Sequence, residues 1–486
     1  MKRTFCIAIA MALMLTVTNA YAGGFLLYEH NSSATGMAGA RTAISDDPSS
    51  MFYNPAAISE LEGLQLQIGA TGILPYVSYE PATDQTARSF EYLDQNGNLV
   101  TKIVNDGQNA TSAKLKGFNP IHLYATYNLP DWGVTLGYGL NNPFGLGTYW
   151  PGDWDGRFIG TETEIHTFFN NAVVAVDIAK LAGFKDSLKL SLAAGYTFVY
   201  GSARLAKRID LRVVEALSQG QFEDPWGEMR MLGSAIGHGW NVALYAELPE
   251  LVSFGFSLRS QVSLPFEGTA KFVFIGDNNI LARDFLSANL GVTFPTAPTV
   301  DNMSEGETTG NVTIDLPMNL NVGLAFLGIK DLKIAADFFL AFFESYGQLD
   351  LSFNCVEEGT CSDNLNTVVE KNWSSSWQVS LGAEYMVVEG IPLRVGYGMV
   401  SSPVPNDTYD PSLPDAGNGS FRHLFTAGTG YHADWWKLDL GYMLAMWKGT
   451  KDNLVGAGDA STPEGMANGT YTTVTHLLGL TFTAAI

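Results

Sequence analysis

The chain has 486 residues and a formal net charge of −22, with only 16% charged residues and 12% aromatic residues. This acidic balance argues against a nucleic-acid-binding protein, which needs a basic face to neutralise phosphates. The shortage of charge argues against a disordered chain. The mean hydropathy of +0.06 is too low for a bundle of membrane helices. Length alone favours about three domains, at roughly 100–200 residues each.

The first 22 residues have the three parts of a secretory signal peptide. Lys2 and Arg3 form a basic start, residues 5–17 are mainly apolar, and Ala-Tyr-Ala at 20–22 matches an A-x-A cleavage site. An uncleaved N-terminal membrane anchor is the less favoured alternative, because the apolar run is short for a spanning helix. We therefore predict that the chain is exported and that residues 1–22 are removed.

From residue 63 onward, apolar and polar residues alternate with period 2, as in Val312 to Leu316. The runs reach the ~9–11 residues that a strand needs to cross a bilayer and exceed the ~5–6 residues usual in soluble sheets. Fourteen segments are predicted, at 63–80, 119–129, 132–144, 162–178, 186–209, 234–248, 250–274, 309–327, 330–352, 371–388, 390–402, 420–432, 435–449 and 471–485. The sequence therefore predicts an all-β fold, a transmembrane antiparallel β-barrel of about 14 strands over residues 63–486.

The connections between these segments predict the orientation of the barrel. Short turns, for example at 129–132, 248–250 and 388–390, are typical of the periplasmic side. Long polar segments at 81–118, 275–308, 353–370, 403–419 and 450–470 are typical of extracellular loops and hold much of the acidic excess. The loops contain no EF-hand pattern, so no metal site is predicted.

Residues 23–62 do not alternate and are predicted to form short helices and loop ahead of the first strand. A barrel of about fourteen strands has a lumen wide enough to leak unless something fills it. We predict that residues 23–62 are a hatch, or plug, in this lumen. The alternative is a tail that lies in the periplasm.

Removal of the signal peptide takes away Cys6 and leaves Cys355 and Cys361 as the only cysteines. An exported chain meets an oxidising compartment, so a disulfide that closes a small loop is predicted. A metal or redox pair is the disfavoured alternative, because the spacing is not CxxC and no His lies nearby in the sequence.

Five segments, taken in order, carry a resemblance to a known family. They are Phe25 near the mature N-terminus, the stretch 36–47, Asn54-Pro55-Ala56 before the first strand, Pro-Phe-Gly-Leu-Gly at 143–147, and Asn-Trp-Ser at 372–374. In this order the chain resembles the FadL-type outer-membrane long-chain fatty acid transporters. The resemblance implies a fourteen-stranded barrel with an N-terminal hatch that passes hydrophobic molecules by diffusion, without nucleotide hydrolysis or a cofactor.

The resemblance also implies roles for individual residues. Asn54, Pro55 and Ala56 would belong to the hatch, and Phe25, with Leu26 and Leu27, would lie near the bound ligand.

A third implication is an inward kink of the third strand that opens a gap in the wall. The residues that mark it are Gly137, Gly139, Asn142, Pro143 and Phe144. Gly and Pro in a strand are typical of bulges and broken ladders, which agrees with a kink here. The alternative is that the strand simply ends at this point, before a loop.

We therefore predict a diffusion channel in the outer membrane of a Gram-negative bacterium, with long-chain fatty acids as the first-choice ligand and lateral exit at the kink. An aromatic hydrocarbon channel of the same fold and a nonspecific porin are the alternatives. An enzyme is not predicted, because none of the seven His residues lies in an HExxH motif and no GxSxG elbow is present. The expected partners are a hydrophobic small molecule and outer-membrane lipid, with no nucleic acid and a monomeric state.

A carboxylate ligand would require a cation in the pocket. Arg259, Lys333 and Arg394 are the candidates on predicted strands. The favoured interpretation is that they pair instead with barrel carboxylates such as Asp315, Asp337 or Glu384.

Overall fold

The structure is a computed structural model, and it describes residues 24–82, 88–105, 109–185, 187–295, 299–452 and 467–486. The predicted signal peptide at 1–22 lies outside the described residues. Within the described ranges, every helix is too short or too polar to span a bilayer.

Twenty-two strands occur in the described residues, and all but two of them belong to one large antiparallel sheet. They are β1 (Leu64–Pro81), β2 (Arg88–Leu93), β3 (Leu99–Asn105), β4 (Thr111–Ser112), β5 (Ile121–Leu129), β6 (Val134–Asn141), β7 (Gly145–Tyr149), β8 (Glu162–Asp177), β9 (Lys189–Asp210), β10 (Trp226–Leu248), β11 (Val252–Arg259), β12 (Val262–Ile275), β13 (Met303–Leu316), β14 (Asn319–Ile329), β15 (Leu332–Ala341), β16 (Gln348–Phe353), β17 (Thr367–Glu370), β18 (Ser376–Val388), β19 (Ile391–Ser401), β20 (Phe421–His432), β21 (Trp436–Lys451) and β22 (Gly469–Ala485).

The sheet closes on itself because β1 pairs with β22 in an unbroken register from Gln65↔Ala485 to Pro81↔Gly469. Several consecutive strands together form one crossing of the wall: β4 with β5, β6 with β7, β11 with β12, β13 with β14, β15 with β16, and β17 with β18. Counted in this way the wall has fourteen crossings, and the predicted fourteen-stranded barrel is confirmed. The length-based estimate of three domains is wrong, because strands of up to 23 residues and long loops take up the chain.

The apolar residues of the period-2 pattern face outward, as expected of a barrel in lipid, and not inward as in a soluble sheet. On β1, the outward-facing Ile68 is 57% exposed, while its neighbour Gln67 faces inward and is 2% exposed. Apolar side chains therefore face the surroundings, and polar ones face the lumen.

One strand boundary differs clearly from the prediction. The sixth crossing, β10, begins at Trp226 rather than at 234, because β9 and β10 pair without interruption from Glu247↔Lys189 to Trp226↔Asp210. Both strands therefore extend well beyond the length needed to cross a bilayer.

Residues 24–62 lie against the inner face of the wall. They form α1 (Ser32–Thr35), α2 (Ser50–Tyr53) and a 3-10 helix at Pro55–Glu60. The Asn54-Pro55-Ala56 motif starts the 3-10 helix: the Asn54 side chain accepts a hydrogen bond from the backbone N–H of Ala56, and Pro55 occupies the first position, where no N–H is needed. The Asn54 amide also donates to the carbonyls of Thr42 at 2.9 Å and of Leu244 on β10 at 3.1 Å, which ties this segment to the wall.

Inward-facing glycines of the wall make room for this inner segment. A Cβ on Gly255 would lie 1.9 Å from the carbonyl oxygen of Thr42, and one on Gly441 would lie 2.3 Å from that of Ser32. We call the set of glycines that contact residues 32–43 the glycine belt; it comprises Gly255, Gly323, Gly382, Gly396, Gly428, Gly441 and Gly479. Since none of them has a side chain, the backbone of the inner segment packs directly on the backbone of the wall.

The extracellular end carries further structure. The helices there are α4 (Val213–Leu217), α5 (Asp277–Leu290) and α6 (Asn354–Glu357), while α3 (Ile178–Leu181) lies in a periplasmic turn. Side chains of these loops share an apolar core with the tops of β10, β12 and β16. The Cys355 and Cys361 sulfurs are bonded within this cap, with their Cα atoms 5.2 Å apart.

Candidate functional site

The third crossing is interrupted where Asn142, Pro143 and Phe144 separate β6 from β7. The N-terminal segment fills the break, because the Gly145 N–H donates to the Phe25 carbonyl at 3.0 Å and the Leu27 N–H donates to the Pro143 carbonyl at 2.8 Å. Pro143 has no N–H to offer, so a continuous ladder cannot form at this position. The start of the chain and the broken strand are thus joined by a short antiparallel bridge.

The two predicted glycines of the kink are placed differently. Gly137 and Gly139 are paired within β6, opposite Val173 and Asn171 of β8, so the ladder is intact at both. A Cβ on Gly137 would lie 2.1 Å from the Met51 sulfur, so this glycine makes room for the inner segment rather than bending the strand.

Asn142 supports both edges of the break. Its side-chain oxygen accepts from the Ile121 N–H at 2.9 Å, and its amide donates to the Thr167 carbonyl at 2.6 Å. Beyond this point β1 no longer pairs with β5 and instead bridges to Phe118 through Ile73. The ladder is therefore discontinuous on both sides of the break, which leaves a weak place in the wall.

A cavity of about 410 Å³ extends from the lumen to this weak place. Its inner lining is mainly apolar and includes Leu424, Met443 and Leu477. Ile121 and Phe168, which also line it, belong to the outward-facing sets of β5 and β8. One space thus contacts side chains from both faces of the wall.

Phe25 is held at the inner side of this cavity by a cage of four rings. Only 2% of Phe25 is exposed, and its ring centroid lies 5.8 Å from Phe144, 5.9 Å from Phe343, 5.6 Å from Tyr346 and 6.0 Å from Trp373. Aromatic pairs of this kind contribute ~0.5–1.5 kcal/mol each beyond the burial of their area. The cage therefore fixes the N-terminal segment strongly.

A second contact holds the residue before Phe25. The Gly24 N–H donates to the Asp415 carboxylate, and Arg422 donates to the Gly24 carbonyl at 2.6 Å and to Asp415 at 2.5 Å. The guanidinium of Arg422 lies 4.6 Å from the Trp447 ring centroid. Burial raises the pKa of Asp415 in spite of the adjacent arginine. We call Gly24, Asp415 and Arg422 the N-terminal clamp.

Of the Lys and Arg residues that the structure describes, Arg422 is the one that lines the large cavity, and sequence reasoning missed it. The available signal was its position at the start of the predicted strand 420–432, directly after the predicted loop 403–419. That signal alone does not distinguish Arg422 from other cations near strand ends.

None of the three predicted cations lines the cavity, and two of them are held in ion pairs. Lys333 lies 2.5 Å from Asp46 and 2.9 Å from Glu384, and Arg394 lies 2.6 Å from both Glu384 and Asp439. Both are thus engaged in ion pairs, as the favoured interpretation expected. Their pairs link the wall to the base of the inner segment.

Asp46 is the point where the inner segment enters this ion-pair network. Although burial opposes its ionisation, the charges of Arg41, Lys333 and Lys437 hold the pKa of Asp46 well below its usual range. The carboxylate therefore stays charged, and the segment stays anchored, over the physiological pH range.

The third predicted cation, Arg259, lies deeper than the large cavity. Its guanidinium is 4.6 Å from the Phe52 ring centroid, and its buried Nη2 has no hydrogen-bond partner among the described residues. Arg259 lines a second cavity of about 30 Å³, and Leu26 and Phe144 line both cavities. The bridged N-terminal segment is thus a partition between the two spaces.

The comparisons with known proteins agree with this architecture. A family model described as "Outer membrane protein transport protein (OMPP1/FadL/TodX)" matches residues 13–485. The long-chain fatty acid transport protein of Escherichia coli O6:H1 is 23% identical over 424 residues, covering 84% of each chain. The outer membrane protein P1 of Haemophilus influenzae is 24% identical over 410 residues, covering 80% of this chain and 79% of its own.

Solved structures show the same fold at low identity. A Pseudomonas aeruginosa FadL homologue superimposes with a TM-score of 0.73 and 17% identity, covering 95% of this chain and 99% of its own. The Pseudomonas putida toluene transporter TodX gives a TM-score of 0.63 and 14% identity, covering 96% of this chain and 99% of its own. The predictions of an outer-membrane location and of a transport channel rather than an enzyme are confirmed at the level of the family. The chain therefore belongs to the outer-membrane transport protein family of OMPP1, FadL and TodX, whose members carry hydrophobic molecules across the outer membrane.

Proposed function

We propose that this channel takes up long-chain fatty acids and releases them sideways, through the break between β6 and β7. The observation that carries the proposal is the single cavity that combines apolar walls, the cation Arg422 and outward-facing side chains at the wall break. Its volume of about 410 Å³ is within the usual range of ligand pockets. An arginine beside mainly apolar walls suits a ligand with a carboxylate at one end and a long apolar chain.

The clamp supplies a route from ligand binding to opening. A ligand carboxylate that accepts hydrogen bonds from Arg422 competes with Asp415 and with the Gly24 carbonyl for the same donors. Because burial raises the pKa of Asp415, this carboxyl gives up its charge more readily than an exposed one would. Once Gly24 is released, the partition is still bonded to the broken strand by the two hydrogen bonds of the bridge, Gly145 to Phe25 and Leu27 to Pro143.

Glu29 also lines the cavity and carries the same charge as the proposed ligand. Burial raises the pKa of Glu29, which favours its neutral form and reduces its repulsion of a bound carboxylate.

Lateral release suits an apolar ligand for a physical reason. Exposing a methylene group to water costs about 0.8 kcal/mol, so a chain of about fifteen methylenes would meet a barrier of roughly 12 kcal/mol on a fully aqueous route. A path from the cavity through the wall break into lipid keeps the chain in apolar surroundings throughout.

Aromatic hydrocarbons are the second candidate ligands. The four-ring cage around Phe25 and the fold shared with a toluene transporter favour them. A neutral hydrocarbon forms no ion pair with Arg422, so the effect of replacing this arginine distinguishes the two candidate ligands.

The test is an uptake assay with oleate, oleyl alcohol and toluene, in cells that lack their own channel of this family. Hydrogen bonds to charged groups contribute about 1.5–3 kcal/mol, so Arg422→Gln should lower oleate uptake by roughly 10- to 100-fold relative to the two neutral ligands. The uptake of the neutral ligands measures the separate effect of loosening the clamp. Lys448→Gln, which removes an exposed cation near the corresponding end of the neighbouring strand β21, is the matched control. Equal oleate uptake by Arg422→Gln and wild type would contradict the fatty acid assignment.

The exit route needs a separate variant. A Cβ on Gly145 would contact the Leu27 side chain at 3.1 Å, so Gly145→Trp places a bulky ring at the wall break. We expect lower uptake of all three ligands with a normally folded barrel. Unchanged uptake would point to an exit on the periplasmic side instead.

A further inference from the structure

A second large cleft, separate from the ligand cavity, lies on the outer face of the sheet. It has a volume of about 640 Å³ and lies between the β7–β8 connection and the upper parts of β8, β9, β10, β12 and β13. We call it the outer cleft. Its ionic lining consists of Lys114, Arg204, Arg208, Arg230 and Lys271 together with Glu162, Glu228 and Glu307.

The strand registers place these groups in rows across the sheet. Arg230 of β10 stands opposite Lys271 of β12, which stands opposite Glu307 of β13. The side chains of Arg204, Arg230 and Lys271 are 52%, 59% and 45% exposed. Each is in an ion pair: Arg204 with Glu162 at 3.4 Å, Arg230 with Glu228, and Lys271 with Glu305 at 2.5 Å. Such exposed pairs contribute little to stability, so these cations are available to a ligand.

The charge of the outer cleft is opposite to that of the chain. Five cations line it against three carboxylates, and a fourth carboxylate, Glu305, pairs with Lys271, whereas the whole chain has a net charge of −22. A local excess of positive charge on a strongly acidic protein attracts an anionic partner to this place rather than to the rest of the surface. Arginine forks bind phosphate in particular, because they donate two parallel hydrogen bonds.

The same outward face carries lipid-facing residues below the cleft. On β10, Ile236 is 54% exposed and Trp240 is 49% exposed, and His238 between them accepts or donates a 2.6 Å hydrogen bond with Tyr196 of β9. His238 is ten residues from the periplasmic end of β10 at Leu248. At ~3.3 Å per residue and a tilt of ~40°, it lies roughly 25 Å above that end, which is the height of the apolar band of such barrels. Tyr196 and His238 thus mark the outer interface.

The height of the outer cleft above the membrane interface determines which lipids can reach it. Arg230 is eight residues beyond His238, or roughly 20 Å above the interface at the same tilt. The headgroup region of a phospholipid extends only ~5–8 Å beyond the hydrocarbon. A phospholipid embedded beside β10 therefore does not reach the cleft, and a lipid with a long anionic headgroup does.

We propose that the outer cleft binds the phosphorylated sugar headgroup of an outer-leaflet glycolipid. The acyl chains of this lipid lie against the apolar strip of β9 and β10, and its sugar phosphates accept hydrogen bonds from Arg204, Arg230 and Lys271. This site is on the opposite face of the wall from Arg422 and does not depend on which molecule the channel transports.

The test measures binding of a purified lipopolysaccharide to the full-length channel in detergent. The probes are lipopolysaccharide with a phosphorylated core, the same lipid truncated before the core, phosphatidylglycerol and oleate. The variant is Arg230→Gln with Lys271→Gln. The matched control is Lys180→Gln with Lys330→Gln, which removes two exposed cations at the periplasmic turns. Each variant is first shown to keep the heat-resistant gel mobility of a folded barrel.

We expect the cleft variant to bind the full-core lipid roughly 10- to 30-fold more weakly than wild type, and the control to match wild type. Binding of the truncated lipid and of phosphatidylglycerol should be the same in all three proteins. Equal full-core binding by variant and wild type would overturn the proposal, as would an equal loss with the truncated lipid. Displacement of the full-core lipid by oleate would overturn it too, because the cleft would then be a capture site for the transported ligand.

Discussion

Replacing Gly255 by alanine tests whether residues 24–62 close the lumen. The new Cβ would lie 1.9 Å from the Thr42 carbonyl oxygen, whereas ordinary contact begins near 3.4 Å. The inner segment must therefore move by about 1.5 Å, the difference between these two distances. It cannot move freely, because the same carbonyl accepts a 2.9 Å hydrogen bond from Asn54, which also binds the Leu244 carbonyl of the wall.

Overpacking of this kind costs about 1–3 kcal/mol. If the cost acts on the docked state of the segment, the ratio of docked to undocked molecules falls by roughly 5- to 150-fold. We expect Gly255→Ala to open more often in single-channel recordings from planar bilayers, with a larger mean ion current. Gly72→Ala is the control, because its Cβ would meet no atom closer than 3.7 Å. If both variants conduct like wild type and both fold, the segment is not what closes the lumen.

Three further predictions concern the cage, the loop cap and pH. Phe25→Ala removes a buried ring, a change that costs about 3–5 kcal/mol, so it should undock the N-terminal segment and lower uptake. Phe25→Leu keeps most of the apolar volume and is the comparison, and equal uptake by the two variants would refute the role of the cage. Replacing Cys355 and Cys361 by Ser should cost about 2 kcal/mol of loop stability, seen as faster proteolysis within residues 354–366 at unchanged uptake. Because the pKa of Asp46 is depressed, its anchoring is complete above the unfolded value of about 3.9 and is lost as the pH falls through the depressed pKa. Ion current should therefore stay low from pH 8 to about pH 5 and rise only well below pH 4; a rise near pH 6, or the same profile in Asp46→Asn, would contradict this account.

The sequence was sufficient to predict the barrel because the alternation of apolar and polar residues is a local pattern, imposed by lipid on one face of each strand and the lumen on the other. A strand between lipid and lumen must alternate along its own length, as Ile68 and Gln67 do, so the crossings can be recognised one at a time. The inner segment was recognisable for the complementary reason that residues 23–62 lack this alternation. The break near Pro143 also had a local cause, since proline cannot donate to a ladder.

The candidate site depended on contacts that no local pattern records. The clamp joins Gly24 to Asp415, residues that are 391 positions apart, and the ion pair of Lys333 with Asp46 spans 287 positions. Sequence reasoning named Arg259, Lys333 and Arg394 as candidate cations and favoured their pairing with barrel carboxylates. The fold pairs Lys333 and Arg394 in this way, but only the tertiary structure places Arg422 in the cavity.

The charge of the chain shows the same division between what the sequence determines and what depends on the tertiary structure. Composition established that the chain is acidic and poor in charge, because those are sums over residues. Only the tertiary structure gathered five of its 27 cations into the outer cleft, because cross-strand register, and not sequence distance, decides which side chains become neighbours.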